Sequence, residues 1–320
     1  MPRPFTPSLP NGVGTSANPD FEPLPGDIAF TRATLMRSRR LPPDIIDLIF
    51  DHAEYWAHSS SVVEQSLRIS GSGAVENKFL IRCPPLGITK VARLAEELAY
   101  DTTEAQPLPL VEEHGPVFFA GLVDYPTPRI IYPCRKIVFS IRSRDQGWGN
   151  VNAEDTDPYS SSYTWFEAGL ERFDASQECT SPCDTHCTYD VRREVSTETA
   201  PHLPICGLRS IYPATRMDSD SRRSYRHPLL PDDYFNIQRN RAAFGQWQDH
   251  RVVWAYDDDI DPTSNLGMEL QRCGRGRASG IGGFVRSLKL GDVVTVWGKA
   301  RFPMWVNMVE AVRVDIYWAV

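Results

Sequence analysis

One stretch of the chain carries residue types that could bind a ligand. In Ser143–Gly149 the order Ser-Arg-Asp-Gln-Gly-Trp-Gly predicts a tight loop, because glycine permits positive φ and Asp and Gln side chains bond to turn backbone. Aromatic faces stack on sugar rings or anchor peptide partners. The candidate ligand-binding residues are therefore Asp145, Trp148, Tyr163 and Trp165. A purely structural loop explains the same residue types, and both alternatives stay open.

Two further groups invite a metal interpretation. Four residues next to the loop carry oxygen atoms that could bind calcium: Asn152, Glu154, Asp155 and Asp157. Their spacing matches no EF-hand and favours a solvated acidic loop. Three thiols and an imidazole could bind zinc, although their spacing is not that of a usual finger: Cys179, Cys183, His186 and Cys187. We predict neither a metal nor a cofactor.

Motifs of common enzymes are missing from the sequence. It contains neither the G-x-S-x-G elbow nor H-E-x-x-H, and the glycines between residues 274 and 283 fit neither a P-loop nor a dinucleotide fingerprint. A hydrolase whose site is formed by loops is a lesser hypothesis. Its mark would be a deep pocket that holds a histidine beside a carboxylate or hydroxyl.

Composition limits the class of partner. The 320 residues carry 34 basic and 41 acidic side chains, a formal net charge of −7, which argues against nucleic acid or an anionic membrane as the partner. No apolar run of about 18 residues and no secretion signal is evident. Seven cysteines, an odd number, agree with a reducing compartment. We expect a cytoplasmic or nuclear protein.

The elements that must position the loop are strands. Ile137, Phe139 and Ile141 alternate with more polar neighbours, and 26 prolines with 21 glycines indicate many turns. We predict a mainly β chain, an antiparallel β-sandwich of jelly-roll type with an N-terminal helical leader. The strands on either side of the loop are expected to form a hairpin. Of Trp165 and Phe166, which point to opposite faces, only one is expected in the core.

The predicted organisation has three parts. Residues 1–26 are rich in Pro, Gly, Ser and Asn and are expected to be a disordered tail. Residues 27–58 form the helical leader. Residues 59–320 form the sandwich, with long insertions near 87–133 and 174–250.

The leader contains an amphipathic helix over Leu41–Trp56. It opens with prolines, and Ile45, Leu48 and Ile49 share a face. The pattern resembles the first helix of an F-box, supplied here by Leu41, Pro42, Asp44, Ile45, Ile46 and Ile49. This resemblance implies docking on the Skp adaptor of a cullin-type ubiquitin ligase, with Leu41, Pro42, Ile45 and Ile49 in the contact. The alternative is a helix that packs its apolar stripe on the sandwich.

A wider resemblance runs through the middle and the C-terminal part of the chain. The segments KIVFSIRSRDQGWG, SYTWFEAGLERF and VWGKARFPMWVNMVEAVRVDIYW look like those of uncharacterised fungal proteins that join an F-box-like leader to a β-rich domain. That group implies an architecture but transfers no activity. The leading hypothesis is a non-enzymatic recognition or adaptor protein, and the alternative is a carbohydrate-binding jelly-roll module.

Overall fold

A computed structural model describes residues 22–73, 75–89, 103–125, 132–149, 157–177 and 205–320. Its α-helices are α1 (Pro25–Arg39), α2 (Pro43–His52), α3 (Pro116–Ala120), α4 (Asn265–Arg272) and α5 (Gly283–Ser287). The strands are β1 (Ala57–Val63), β2 (Leu67–Ser70), β3 (Asn77–Arg82), β4 (Cys134–Arg144), β5 (Thr164–Phe173), β6 (Leu208–Tyr212), β7 (Thr215–Met217), β8 (Arg223–Tyr225), β9 (Asn236–Arg239), β10 (Gln248–Ala255), β11 (Val293–Ala300) and β12 (Val306–Trp318). Short 3-10 turns cover Ile205–Gly207 and Arg277–Ile281.

Ten of the twelve strands form two antiparallel five-stranded sheets, as predicted for a sandwich, and β7 pairs with β8 in a separate two-stranded sheet. Sheet A has the order β1-β12-β4-β10, with β2 beside β12, and sheet B has the order β3-β11-β5-β6, with β9 also on β5. From β3 to β5 and from β9 to β12, consecutive strands alternate between the sheets, whereas β1 and β2 share sheet A and β5, β6 and β9 share sheet B. This alternation is the arrangement of a jelly roll.

The core lies between the sheets and follows the period-two pattern of the strands. Ile137, Phe139 and Ile141 of β4 are at most 1% exposed. In sheet B, Phe166 and Ala168 of β5 are fully buried in the same apolar cluster. Alternate residues of each strand therefore face the opposite sheet, as the β4 sequence predicts.

The predicted hairpin of β4 and β5 is wrong. β4 pairs with β10 and β12 in sheet A, whereas β5 pairs with β6, β9 and β11 in sheet B. The connection from Arg144 to Thr164 is far longer than the two to five residues of a tight hairpin, so it can cross from one sheet to the other. The loop at Ser143–Gly149 thus lies at one end of the sandwich, where it passes between layers.

Of Trp165 and Phe166, only Phe166 belongs to the core cluster, as expected, although both are 0% exposed. Phe166 faces the core, and Trp165 faces the outer side of sheet B, which other segments cover. Tyr225, for example, packs its ring 5.4 Å from Trp297 on that side, and its hydroxyl donates to the carbonyl of Ala105. β5 is therefore covered on both faces, which explains why Trp165 is buried outside the core cluster.

The long stretch near 174–250 contributes to the sandwich as well as to its surface. β6 pairs with Leu170–Phe173 of β5, and β9 pairs with Trp165–Glu167 farther along the same edge. The short strands β6 and β9 together complete one edge of sheet B. None of the helices in the described ranges is long and apolar enough to cross a membrane.

Candidate functional site

A buried network of neutral polar side chains supports the loops at one end of the sandwich. Asn240 accepts from the Ser143 hydroxyl (2.7 Å) and donates to Thr164 Oγ1 (3.1 Å) and Asn307 Oδ1 (3.0 Å). Asn307 in turn donates to the carbonyls of Trp165 and Lys299. The four side chains are all 0% exposed, so the network links the two sheets directly beneath the loops.

Asp145 fastens two of these loops together. Its carboxylate accepts the backbone amides of Gln146 (2.7 Å) and Ala243 (2.8 Å). Burial raises the pKa of Asp145 to about 6, although both amides favour its ionised form. Asp145 is fully buried, so its place is beneath the surface, where it holds the loops that a ligand would meet.

Glycines let the same loops approach closely. Gly147 has φ +88°, which agrees with the turn that the sequence predicts, and a Cβ there would lie 2.8 Å from the Cα of Gly245. Gln146 then holds the third loop, because its side-chain oxygen accepts the Val306 amide at 2.9 Å. Three loops therefore converge at the start of β12.

Of the seven non-glycine residues with positive φ in the described ranges, three lie at this end, and Arg40, Glu54, Tyr132 and Ser221 lie elsewhere. Ala243, Phe302 and Met304 have φ of 51°, 65° and 78°, a region that bulky side chains rarely adopt. Such residues cost roughly 1–3 kcal/mol each and are found mostly where surrounding structure holds a functional surface.

Exposed and half-buried aromatic rings surround these loops, and we call this surface the aromatic end. Trp148 is 52% exposed and Phe302 is 40% exposed. Tyr163 is half-buried and lies edge-on to Phe302 (4.7 Å between centroids) and Trp305 (5.1 Å). Flat rings on a fixed platform can stack on a sugar or receive a peptide side chain.

Arginines accompany the rings. The Arg144 guanidinium lies 4.9 Å from the Trp247 ring centroid, and that of Arg241 lies 4.5 Å from Phe244. Such contacts orient both partners and leave N–H groups that can donate to a ligand oxygen. The aromatic end thus offers apolar faces and hydrogen-bond donors together.

The structure brings only some of the predicted ligand residues to this surface. Trp148 and Tyr163 lie there and Asp145 supports it. Trp165 does not: its ring is fully buried, its indole N–H donates to Glu167 (2.7 Å), and Arg301 lies 5.1 Å from the ring. A ring held from both sides in this way cannot meet a ligand at the surface.

Sequence reasoning missed Phe244, Trp247, Phe302 and Trp305. One signal could have found the first pair: Phe244-Gly245-Gln246-Trp247 places a glycine next to large rings, as Gln146-Gly147-Trp148 does. No neighbouring sequence pattern marks Phe302 and Trp305, because their position depends on the path of the chain between β11 and β12.

The second candidate surface is the outer face of α2. The helix is shorter than predicted, since it ends at His52 and Trp56 leads into β1. Ile46 and Phe50, on one side, are 0% and 6% exposed. On the other side Ile45, Leu48 and Ile49 are 43%, 55% and 42% exposed. Leu41 is half-buried against the core, and Pro42 is exposed at the helix start.

Ion pairs fix the orientation of α2 on the sandwich. Asp47 bonds to Arg32 of α1 at 2.6 Å, and Asp51 bonds to Arg135 of β4 at 3.0 Å. Arg32 also donates to the C-terminal residue's carbonyl, Val320 O. Since Ile46, Asp47, Phe50 and Asp51 all face the sandwich side, Ile45, Leu48 and Ile49 must face away.

Titratable residues also meet on the covered outer face of sheet B. Lys299 Nζ lies 3.6 Å from Glu167 Oε2 and contacts the His227 ring. Burial lowers the pKa of Lys299 to about 8, with Glu167 opposing the shift. Lys299 and Glu167 are 0% exposed. They line neither the cavity of about 280 Å³ at the end of β5 nor the cavity of about 10 Å³ beside α2. His227 is only half-buried, so this cluster links the covering segment to the buried side chains of sheet B.

The metal hypotheses fall largely outside the described residues. Asn152, Glu154, Asp155 and the group Cys179, Cys183, His186 and Cys187 all lie there. Asp157, which is described, accepts the backbone amide of Tyr159 at 2.9 Å. Within the described ranges, no three His, Cys, Asp or Glu side chains are placed to hold a metal ion.

Fold and surfaces together define an antiparallel jelly-roll sandwich with a helical leader, an aromatic loop end and an exposed apolar helix face. No protein-family model, no curated protein and no solved structure matches the chain.

Proposed function

We propose that this chain is a non-catalytic recognition protein that docks through α2 on a Skp-type adaptor of a ubiquitin ligase. One observation carries the proposal: α2 is apolar on both sides, and only one side is used by the sandwich. Ile46 and Phe50 are buried, whereas Ile45, Leu48 and Ile49 face solvent. Exposed apolar residues that share one helix face are a common mark of a docking surface.

The geometry suits a helix that enters an apolar groove. Ile45, Leu48 and Ile49 follow the i, i+3, i+4 spacing by which such helices are recognised. Covering them would remove about half of each side chain from water, worth roughly 1 kcal/mol per residue. The resemblance of Leu41, Pro42 and the following residues to an F-box helix supports the choice of partner.

The proposal places the protein in the cytoplasm or nucleus. Cys83 and Cys134 are buried free thiols, in keeping with a reducing compartment. Burial raises the pKa of the Cys83 thiol to about 12, which keeps it protonated and unreactive.

Binding to a purified Skp adaptor, followed by biolayer interferometry, tests the proposal. We expect the wild type to bind and the double variant Ile45→Glu, Ile49→Glu to bind at least tenfold more weakly. Leu229→Glu with Leu230→Glu is the matched control, because these leucines are 62% and 55% exposed elsewhere on the surface. Unchanged thermal unfolding of both variants would show that folding is intact.

Two outcomes would contradict the proposal. No binding by the wild type would remove the ligase link altogether. Equal binding by the wild type and the Ile45, Ile49 variant would show that the adaptor contacts another surface.

A second candidate function is glycan binding at the aromatic end, favoured by the exposed rings of Trp148 and Phe302. A glycan array is the test, with Trp148→Ala expected to lose binding. Phe30→Ala is the control, since Phe30 is a 75% exposed aromatic residue on α1. Binding that survives Trp148→Ala would reject this site, and no glycan binding would reject the function.

A further inference from the structure

A cavity of about 280 Å³ lies at the opposite end of sheet B from the aromatic rings. It is formed where β5 ends, at Arg172 and Phe173, and where the chain enters β11, at Lys289–Asp292. α3 closes one side. The cavity shares no residue with the α2 face or with the aromatic end.

The wall of the cavity is apolar. Phe173, Leu290 and Phe119 are 2%, 7% and 9% exposed, and Pro116 completes the wall. Gly291 allows close packing there, because it has φ +83° and a Cβ would lie 2.1 Å from the Phe119 ring. A side chain at this position would collide with the Phe119 ring, so the close packing of the wall requires glycine here.

Charged groups form the rim, and their charges balance. Arg172 bonds to Asp292 through Nε (2.9 Å) and Nη2 (3.2 Å) and to Glu113 through Nη1 (2.7 Å). Lys289 bonds to the other oxygen of Glu113 at 2.7 Å. Two cations therefore meet two carboxylates. A charged ligand would lose its hydration on entering the cavity, and no unpaired charge of the rim would compensate that cost. A neutral ligand is therefore favoured.

The volume sets the size of the ligand. An apolar cavity of about 150 Å³ in another protein holds benzene. A cavity of about 280 Å³ is nearly twice as large, which suits two fused rings. We propose that this cavity binds a neutral bicyclic small molecule whose rings contact Phe119, Phe173 and Leu290 and whose polar group meets the Glu113–Arg172–Lys289 rim.

The cavity is a binding site and not the pocket of a hydrolase. His114 lines it, but the imidazole stacks on Phe118 with centroids 3.9 Å apart. Among the described residues, no carboxylate or hydroxyl lies within hydrogen-bonding distance of its ring nitrogens. The carboxylates of the rim are engaged by Arg172 and Lys289, so a base paired with a nucleophile is not formed.

Binding of three probes of one shape tests the proposal by saturation-transfer NMR and titration calorimetry at pH 7. The probes are 2-naphthol, which is neutral, 2-naphthoate, an anion, and 2-naphthylmethylammonium, a cation. We expect 2-naphthol to bind and each charged probe to bind at least tenfold more weakly. Pro116→Trp should abolish 2-naphthol binding by filling the cavity. Val117→Trp, at a neighbouring position that is 86% exposed, should leave it unchanged.

Leu290→Trp is a second filling variant in case Pro116→Trp fails to fold, as judged by its thermal unfolding. No binding of 2-naphthol to the wild type would overturn the proposal. Binding that persists in a folded filling variant would overturn the assigned site, and equal binding of the charged probes would overturn the argument from the balanced rim.

Discussion

The two ends of sheet A are held together by different forces. At the end of β4 near Arg144, neutral groups such as Asn240 and Asn307 bond to one another in complete burial. At its other end, Arg135 holds Asp51 of the leader, and Arg32 holds Asp47. β4 spans 11 residues, so the two ends are separated by roughly 35 Å.

The difference matches what each end is proposed to do. Buried amide networks depend on geometry and respond little to salt, so they fix loops in one arrangement. Charge pairs near the surface tolerate small movements but are screened by salt. A ligand site at the aromatic end requires fixed loops, whereas α2 requires only that the leader stays attached with its outer face free.

The largest expected effect comes from breaking the neutral network. Asn307→Leu should lower the free energy of unfolding by about 4 kcal/mol, because Asn240, the Trp165 carbonyl and the Lys299 carbonyl each lose a buried partner. Urea unfolding measures it. Ser143→Ala removes one bond of the same network and should cost only about 1 kcal/mol. If both variants lost a similar free energy of unfolding, the hydrogen bonds of the network would not act together.

The next effect depends on pH. In the folded chain the pKa of Asp145 is raised to about 6 from 3.8, so its favourable contribution is complete below pH 3.8 and is lost as pH rises through 6. Between pH 3.5 and pH 7.5 the wild type should lose about 3 kcal/mol of unfolding free energy relative to Asp145→Asn. Urea unfolding at the two values measures this difference. A gain of stability over the same range would mean that the Gln146 and Ala243 amides outweigh burial.

A charged anchor of the leader should give a smaller loss. Arg135→Met should cost about 2 kcal/mol, because it removes the Arg135 guanidinium from the Asp51 carboxylate, which also accepts from the Trp56 indole. Arg142→Met is the control on the same strand, since its pairs with Asp249 and Glu310 are exposed and should cost less than about 0.5 kcal/mol. Urea unfolding measures both variants. If they lost equal free energies of unfolding, the ion pair that anchors the leader would be worth no more than the exposed pairs of Arg142.

Sequence patterns predicted the fold better than the site. The alternation of Ile137, Phe139 and Ile141 reports local burial, and counting such strands was enough to indicate a jelly roll. Strand pairing is not local, so the β4–β5 hairpin was mistaken. Trp165 was misjudged as a possible ligand contact because the segments that cover it are distant in sequence. Residue types singled out Trp148, which is exposed, but they could not show that Phe302 and Trp305 meet Tyr163.

The smallest expected effect on stability separates the surface of the aromatic end from its support. Trp148 is 52% exposed, so Trp148→Ala should change the free energy of unfolding by less than about 0.5 kcal/mol. The same change should abolish any ligand binding at that end. Urea unfolding and glycan binding, measured on one preparation, give both quantities. A loss of stability as large as that of Ser143→Ala would mean that Trp148 packs as part of the platform, and the aromatic end would then lose its most exposed contact.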